Sequence, residues 1–249
     1  MLYSIIFLII LAISFLFSML GLGGGMVYVP TLKWVGLPLK EVVIPLALIL
    51  NVVTTISALV AYSKSKLVDW EGGAVMAGTA LVMAPLGAFL SRASSVKFLL
   101  LLFAAAVTVA AVRMVFFAAH AEPEELMARG KRFLVGGSAG TVAGLASGML
   151  GVGGGFIISP ILMWMGYKTK KAAGTTAFVV MVSAASGFAG HLTEGKLDWG
   201  LTAIAVAAAL LGAYAGALFM ARKAKPKWVK SFYALVLFGI AIKLFLEVV

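Results

Sequence analysis

Two glycine clusters are the groups in this sequence with the most chemistry to offer. Gly21, Gly23, Gly24 and Gly25 form the first, and Gly151, Gly153, Gly154 and Gly155 repeat it 130 positions later. Each cluster opens an 11-residue apolar segment, Met26 to Gly36 and Phe156 to Gly166, with an internal proline at Pro30 or Pro160. Eleven residues rise only about 16 Å as a helix, roughly half the hydrocarbon thickness. A glycine offers no side chain to block approach, and a helix start presents unpaired N–H groups and the positive end of a dipole. Two such starts would therefore cradle a small oxyanion without a buried lysine. The expected substrate-binding backbone is Gly23, Gly24, Gly25, Gly153, Gly154 and Gly155, framed by Gly21, Pro30, Gly151 and Pro160. For a single cluster, close helix packing is the better reading. Two in register, on short interrupted segments, point instead to a transporter's midplane site.

Few other groups compete with the backbone. Asn51 falls in the middle of an apolar stretch, where it either bonds a neighbouring helix or lines the substrate path. Thr175 and Thr176 lie beside the second half-helix and join the expected site, while Ser183 and Ser186 are expected to bond their own helix carbonyls. All nine acids lie in loops or at helix ends, so no mid-membrane carboxylate offers a proton relay. The chain has no cysteine, which excludes disulfides and thiolate sites, and no metal or cofactor is expected. Asp69-Trp70 and Asp198-Trp199 read as helix caps with interfacial anchors. Arg113 and Lys243 are expected to snorkel towards an interface. Gly136-Gly137-Ser138-Ala139-Gly140 matches G-x-S-x-G, so an intramembrane serine hydrolase using Ser138 and His191 is the rival enzymatic reading. Glycines at 136, 140, 144 and 148 account for the same residues as a packing stripe.

The elements that must hold these groups are membrane helices. Of 249 residues, 63% are hydrophobic and 12% charged, with a mean hydropathy of +1.11, against about 45–50% apolar and about 25% charged in soluble chains. Apolar stretches of roughly 20 residues match a bilayer of about 30 Å, and nothing alternates as a spanning strand does. The expected fold is an all-α polytopic membrane protein with Gly-rich broken or half-helices. Met1 to Leu20 lacks a basic leader and a cleavage site and reads as the first helix. The net charge of +11 reads as loop charge rather than a nucleic-acid signal, and the partners expected are a small anion and the bilayer.

Positions 21–36 and 151–166 share eight of sixteen residues, among them Leu32, Trp34 and Gly36. Two homologous halves of four to five segments, 1–118 and 132–249, are therefore expected, joined by a polar connector at 119–131. If the short segments do not cross by themselves, eight crossings put 12 Lys/Arg on one side and 6 on the other; if they do, ten crossings give 13 against 5. Even halves repeat in parallel and odd halves inverted. Both schemes place loops 167–171 and 222–230 in the cytoplasm and both termini outside. The oligomeric state stays open, a homodimer included.

The doubled G-x-G-G-G-x-x-x-x-P, with Ala172-Ala173-Gly174-Thr175-Thr176 and Lys196-Leu197-Asp198-Trp199, resembles the TauE/SafE family of sulfite exporters over nearly the whole chain. The resemblance implies transport of sulfite, sulfonates or similar sulfur-containing anions across a bacterial-type inner cell membrane, with no enzymatic activity. Substrate and direction vary within that family, and a channel or a carrier of other small anions is the alternative. The first half departs from the pattern, with Ile44-Pro45-Leu46 where the second has Gly174-Thr175-Thr176.

Overall fold

The computed structural model describes residues 2–119, 125–192 and 196–248. Among them every regular element is helical. In chain order they are α1 (Leu2–Ser18), α2 (Gly25–Trp34), α3 (Ile44–Lys64, entered through a π turn at Leu39–Val43), α4 (Trp70–Ala93) and α5 (Val96–Ala119). Then follow α6 (Arg129–Leu150), α7 (Gly155–Trp164), α8 (Thr169–His191), α9 (Trp199–Arg222) and α10 (Pro226–Val248). Within the described residues α3, α4, α5, α6, α8 and α9 are long and apolar enough to cross a bilayer. The chain is a polytopic helical membrane protein. α2 and α7 have ten residues each and rise about 15 Å, the half-length anticipated from the sequence.

The path of the chain follows from which loops meet. At one end Arg129 pairs with Glu71, Met127 N donates to Met165 O at 2.9 Å, and Lys170 Nζ donates to Ala221 O at 3.2 Å. At the other, Lys40 Nζ donates to Arg92 O at 3.1 Å and Lys196 N to Glu41 O at 2.8 Å. The first end gathers the loops at 64–66, 129–132, 167–171 and 222–230, and is called here the basic end. Consecutive helices reverse direction at every connection, so α1 runs towards the basic end and α6 away from it. The glycine contacts agree. Gly136, Gly140, Gly144 and Gly148 of α6 meet Met76, Thr79, Ala80 and Ala84 of α4 in the same order, and Gly212 and Gly216 of α9 meet Leu11 and Phe15 of α1. Each of those pairs is parallel. Of the two crossing schemes the chain follows the ten-segment one, with 2–119 and 129–248 traversed in opposite senses. Residues 120–124 of the connector lie outside the described residues, as does Glu194.

Packing explains why the small residues stand where they do. α6 lies on α4, α1 on α9, and α3 on both α8 and α9, so each half is held mainly by helices of the other. A Cβ on Gly148 would sit 1.9 Å from Ala84 O, and one on Gly216 would sit 2.0 Å from Phe15 O. Neither helix pair closes to this distance with alanine at those points. Both helices that lead into the glycine clusters are thus gripped tightly. Asp69 Oδ1 accepts from Gly72 N at 3.2 Å, and Asp198 Oδ1 accepts from Gly200 N and Leu201 N at 2.8 and 3.1 Å. Those acids are N-caps, and the tryptophans beside them are exposed at the ends of the bundle.

Candidate functional site

The two glycine clusters meet at half depth. Asn51, midway along the 26-residue helical run Leu39–Lys64, and Val180, midway along α8, both touch them. Gly23, Gly24, Gly153 and Gly154 all have φ between 73° and 104°, a left-handed backbone that suits glycine and turns each loop back on itself. From there α2 runs to the end opposite the basic one and α7 to the basic end, so the positive ends of two helix dipoles converge on one place. A Cβ on Gly25 would lie 2.6 Å from Val152 Cα, and one on Gly155 would lie 2.9 Å from Leu22 Cα. The two loops touch backbone to backbone. The two helix starts thus stand in contact at the place where the sequence reading expects an anion between them.

Asn51 joins the loops. Its Oδ1 accepts from Gly25 N at 3.0 Å and its Nδ2 donates to Gly151 O at 2.9 Å, with the side chain fully buried. One amide therefore satisfies a helix-start donor in one half and a loop carbonyl in the other, and of the two sequence readings of Asn51 the interhelical bond is the one made. Met181 stands 130 positions on from Asn51. The N–H groups of Gly155 and Phe156, at the start of α7, donate to no atom of the described residues. The two half-helix starts are chemically unlike: α2 is capped and α7 presents donors.

The hydroxyls sort differently from expectation. Thr175 Oγ1 accepts from Asp69 N at 3.0 Å near the basic end, so Thr175 is drawn away from the glycine loops. Thr176 is buried one turn from Val180 on the same helix face, and its hydroxyl has no partner among the described residues. Ser159, in α7, is likewise buried with its hydroxyl unpartnered. Ser183 is the residue that sequence reasoning set aside: besides Val180 O on its own helix, at 3.2 Å, its Oγ donates to Gly153 O at 2.8 Å. Tyr28 was also missed. Its hydroxyl shares hydrogen bonds with Ser14 at 2.6 Å and Thr54 at 2.9 Å, tying α2 to α1 and α3. Serine and tyrosine at these positions carry no spacing signal, since both act on partners distant in the chain. Pro30 and Pro160 sit at the sixth residue of α2 and α7. Each lacks the N–H that would close a turn onto Met26 or Phe156 carbonyl.

The hydrolase pairing is not made. Ser138 Oγ donates to Leu134 O at 3.0 Å within an unbroken helix, whereas His191 is buried at the end far from the basic one, its Nε2 donating to Gly148 O at 2.8 Å. Ser138 belongs to the first half of α6, His191 to the last turn of α8, and the two helices start from the same end. Among the described residues no three His, Cys, Asp or Glu side chains gather as a metal site.

A polar cluster ties the basic end together. Asp69 Oδ2 accepts from the Tyr167 hydroxyl at 2.6 Å, and Arg132 Nη1 donates to that hydroxyl at 3.2 Å while standing 3.8 Å from Asp69. Burial alone would raise the Asp69 pKa. Hydrogen bonds from Tyr167 and Gly72, with the charges of Lys171 and Arg132, outweigh it and hold the carboxyl below its ordinary value. Burial and the neighbouring Asp69 push Tyr167 up to about 12. The pair therefore persists as carboxylate and phenol at neutral pH. It links the starts of α4 and α6 with the α7–α8 turn, whereas the carboxylate of Asp198, the matching acid at the other end, makes only its cap contacts among the described residues.

A family described as Sulfite exporter TauE/SafE matches residues 6–244. The chain is 26% identical, over 92% of both lengths, to a protein of Bacillus subtilis named probable membrane transporter protein YunE. It is 28% identical, over 94% of both lengths, to a probable membrane transporter protein of Haemophilus influenzae. Sulfite exporter TauE/SafE family protein 1 of Arabidopsis thaliana is 28% identical over 43% of this chain and 23% of its own length. No solved structure matches the chain.

Proposed function

Since the chain belongs to the TauE/SafE sulfite exporter family and is a membrane transporter, we propose that it carries small sulfur-containing anions such as sulfite or organosulfonates. The observation that carries this reading is the start of α7, where two N–H groups at half depth have no acceptor among the described residues. In hydrocarbon such donors are costly unless something accepts from them, and an oxyanion does so with the favourable sign for the helix dipole. The anion binds beside the loop crossing, against Gly153, Gly154 and Gly155, with the Thr176 and Ser159 hydroxyls towards the basic end. Gly23, Gly24, Gly25 and Asn51 support it from the other half. Two halves traversed in opposite senses around a central site suit alternating access, in which the same site opens to each face in turn. Flux into proteoliposomes tests the assignment: sulfite or a short sulfonate is expected to move at least tenfold faster than chloride at equal concentration. Equal rates for all of them would favour an unselective anion pathway and sink the reading.

The orientation proposed puts the basic end in the cytoplasm and both termini outside, in the inner cell membrane. It rests on the charge asymmetry, 13 Lys/Arg at the basic end against 5 at the other. Because the chain has no cysteine, single cysteines report cleanly. Lys168→Cys is expected to be shielded from an impermeant maleimide in intact cells, and Ser94→Cys to be labelled. The reverse pattern would invert the assignment.

A further inference from the structure

We propose that Arg113 is the residue that receives the anion between the basic end and the midplane, in the cleft between α5 and α7, and that this cleft favours sulfonates with a short apolar body. This rests on the reading of the protein as a carrier of sulfur-containing anions. The cleft is a cavity of about 160 Å³ lined by Val109, Ala110 and Arg113 of α5 and by Phe156, Ile157, Pro160 and Ile161 of α7. Arg113 is its one charged residue. α5 runs towards the basic end and ends at Ala119, which puts Arg113 about 9 Å short of that end, inside the apolar part of the helix. A charge at such a depth is retained where it serves a pathway or reaches a headgroup. Among the described residues Arg113 makes no ion pair, hydrogen bond or ring contact.

The comparison within the chain sharpens this. Lys243 lies 130 positions on, at the same place in α10, and its Nζ rests 3.6 Å above the Trp34 ring. That cation is occupied by an aromatic face. Arg113, an exposed residue, instead lines a cavity that is also lined by Phe156, one of the two residues with a donor N–H at the start of α7. A guanidinium on α5 and the donor-bearing start of α7 beside the same cavity would form successive stations for an oxyanion, since a planar fork of N–H groups matches its oxygens. The wall between them is apolar. A volume of about 160 Å³ is well above what one ordered water needs and suits a sulfonate group with two or three carbons. α5 packs mainly on α10 and only lightly on α7, so the cleft lies on the seam between the α5–α10 pair and the rest.

The same guanidinium chemistry would also hold a lipid phosphate, so the test separates the two. Purified protein is reconstituted in vesicles of phosphatidylcholine alone and of phosphatidylcholine with phosphatidylglycerol, and uptake of ethanesulfonate and of sulfite is measured. Arg113→Gln is expected to raise the KM for ethanesulfonate at least tenfold in both lipids, Arg113→Lys to recover part of it, and Lys243→Gln to leave it unchanged. Ile161→Trp, which fills the cleft and keeps the charge, is expected to weaken ethanesulfonate uptake more than sulfite uptake. An unchanged KM in Arg113→Gln, or an effect confined to the vesicles with phosphatidylglycerol, would overturn the proposal while leaving the carrier reading intact. If the unaltered protein moves neither anion, the carrier reading falls and this proposal with it.

Discussion

Alanine at Gly25 or Gly155 is expected to reduce substrate flux to the level of empty vesicles. Neither glycine has positive φ, so the methyl group causes no backbone strain of its own; what it meets is the other loop. At Gly25 the new Cβ would lie 2.5 Å from Asn51 Nδ2, 2.6 Å from Val152 Cα and 2.7 Å from Gly151 O. At Gly155 it would lie 2.9 Å from Leu22 Cα and 3.0 Å from Leu22 O. Carbon atoms rest about 3.5–4.0 Å apart, so the loops must separate by about an ångström, the scale of displacement that misaligns a binding site. The Gly25 variant, with the closer contacts, is expected to be the more severe. Gly78→Ala is the control: a Cβ there meets nothing within 4 Å, and alanine is the better helix former. Flux in proteoliposomes, with elution volume and melting temperature in detergent to establish folding, checks the result. Normal flux in either loop variant would mean that the crossing does not set the geometry of the substrate site beside it.

Asn51→Leu is expected to lose both transport and stability. The amide bridges Gly25 N and Gly151 O, and removing it leaves a donor and an acceptor buried without partners. Each such group costs about 1–3 kcal/mol, although polar contacts within membranes often contribute about 0.6 kcal/mol on average because the reference state also finds partners. The fall in melting temperature is therefore expected to be measurable but moderate, whereas flux falls to background because the two loops lose the link that sets their spacing. Asn51→Asp separates the two effects of the amide. The carboxylate still accepts from Gly25 N–H, yet it has no proton to give Gly151 O and places a negative charge beside the proposed anion site. It is expected to be as inactive as the leucine variant. Retention of half or more of the normal flux in Asn51→Asp would assign Asn51 a purely structural role.

Several features were legible from the sequence because they depend on neighbours in the chain. Half-helices at α2 and α7 follow from an 11-residue length between a glycine cluster and a loop. The Asp69 and Asp198 caps follow from their place before an apolar run. The tight seams of α6 and α1 follow from small residues every four positions. Other features were not legible, and Arg113 shows why. Its depth within α5 reads as ordinary snorkelling, and only the packing of α7 beside it reveals an apolar cleft with one charged wall. Thr175 adds a contact of the same kind: its place beside the motif suggests the anion site, and the backbone N–H of Asp69, 106 positions away, donates to its hydroxyl oxygen.

The sequence by itself determined that this chain lives in a bilayer, repeats a glycine-proline motif at 130-residue spacing, and belongs with the TauE/SafE sulfite exporters. Composition, period and motif are properties of the linear chain, and they survive whatever the tertiary arrangement. The tertiary structure decided the sense of each traversal, the back-to-back contact of the two loops, and the difference between a capped α2 and an open α7. Lys/Arg counts could not settle the traversals, since loops 167–171 and 222–230 share a side in both schemes and dominate each sum. The loop contact and the Asn51 bridge join residues about a hundred positions apart, a distance over which no local periodicity carries information. Only the packing of helices from opposite halves brings them within reach of a hydrogen bond.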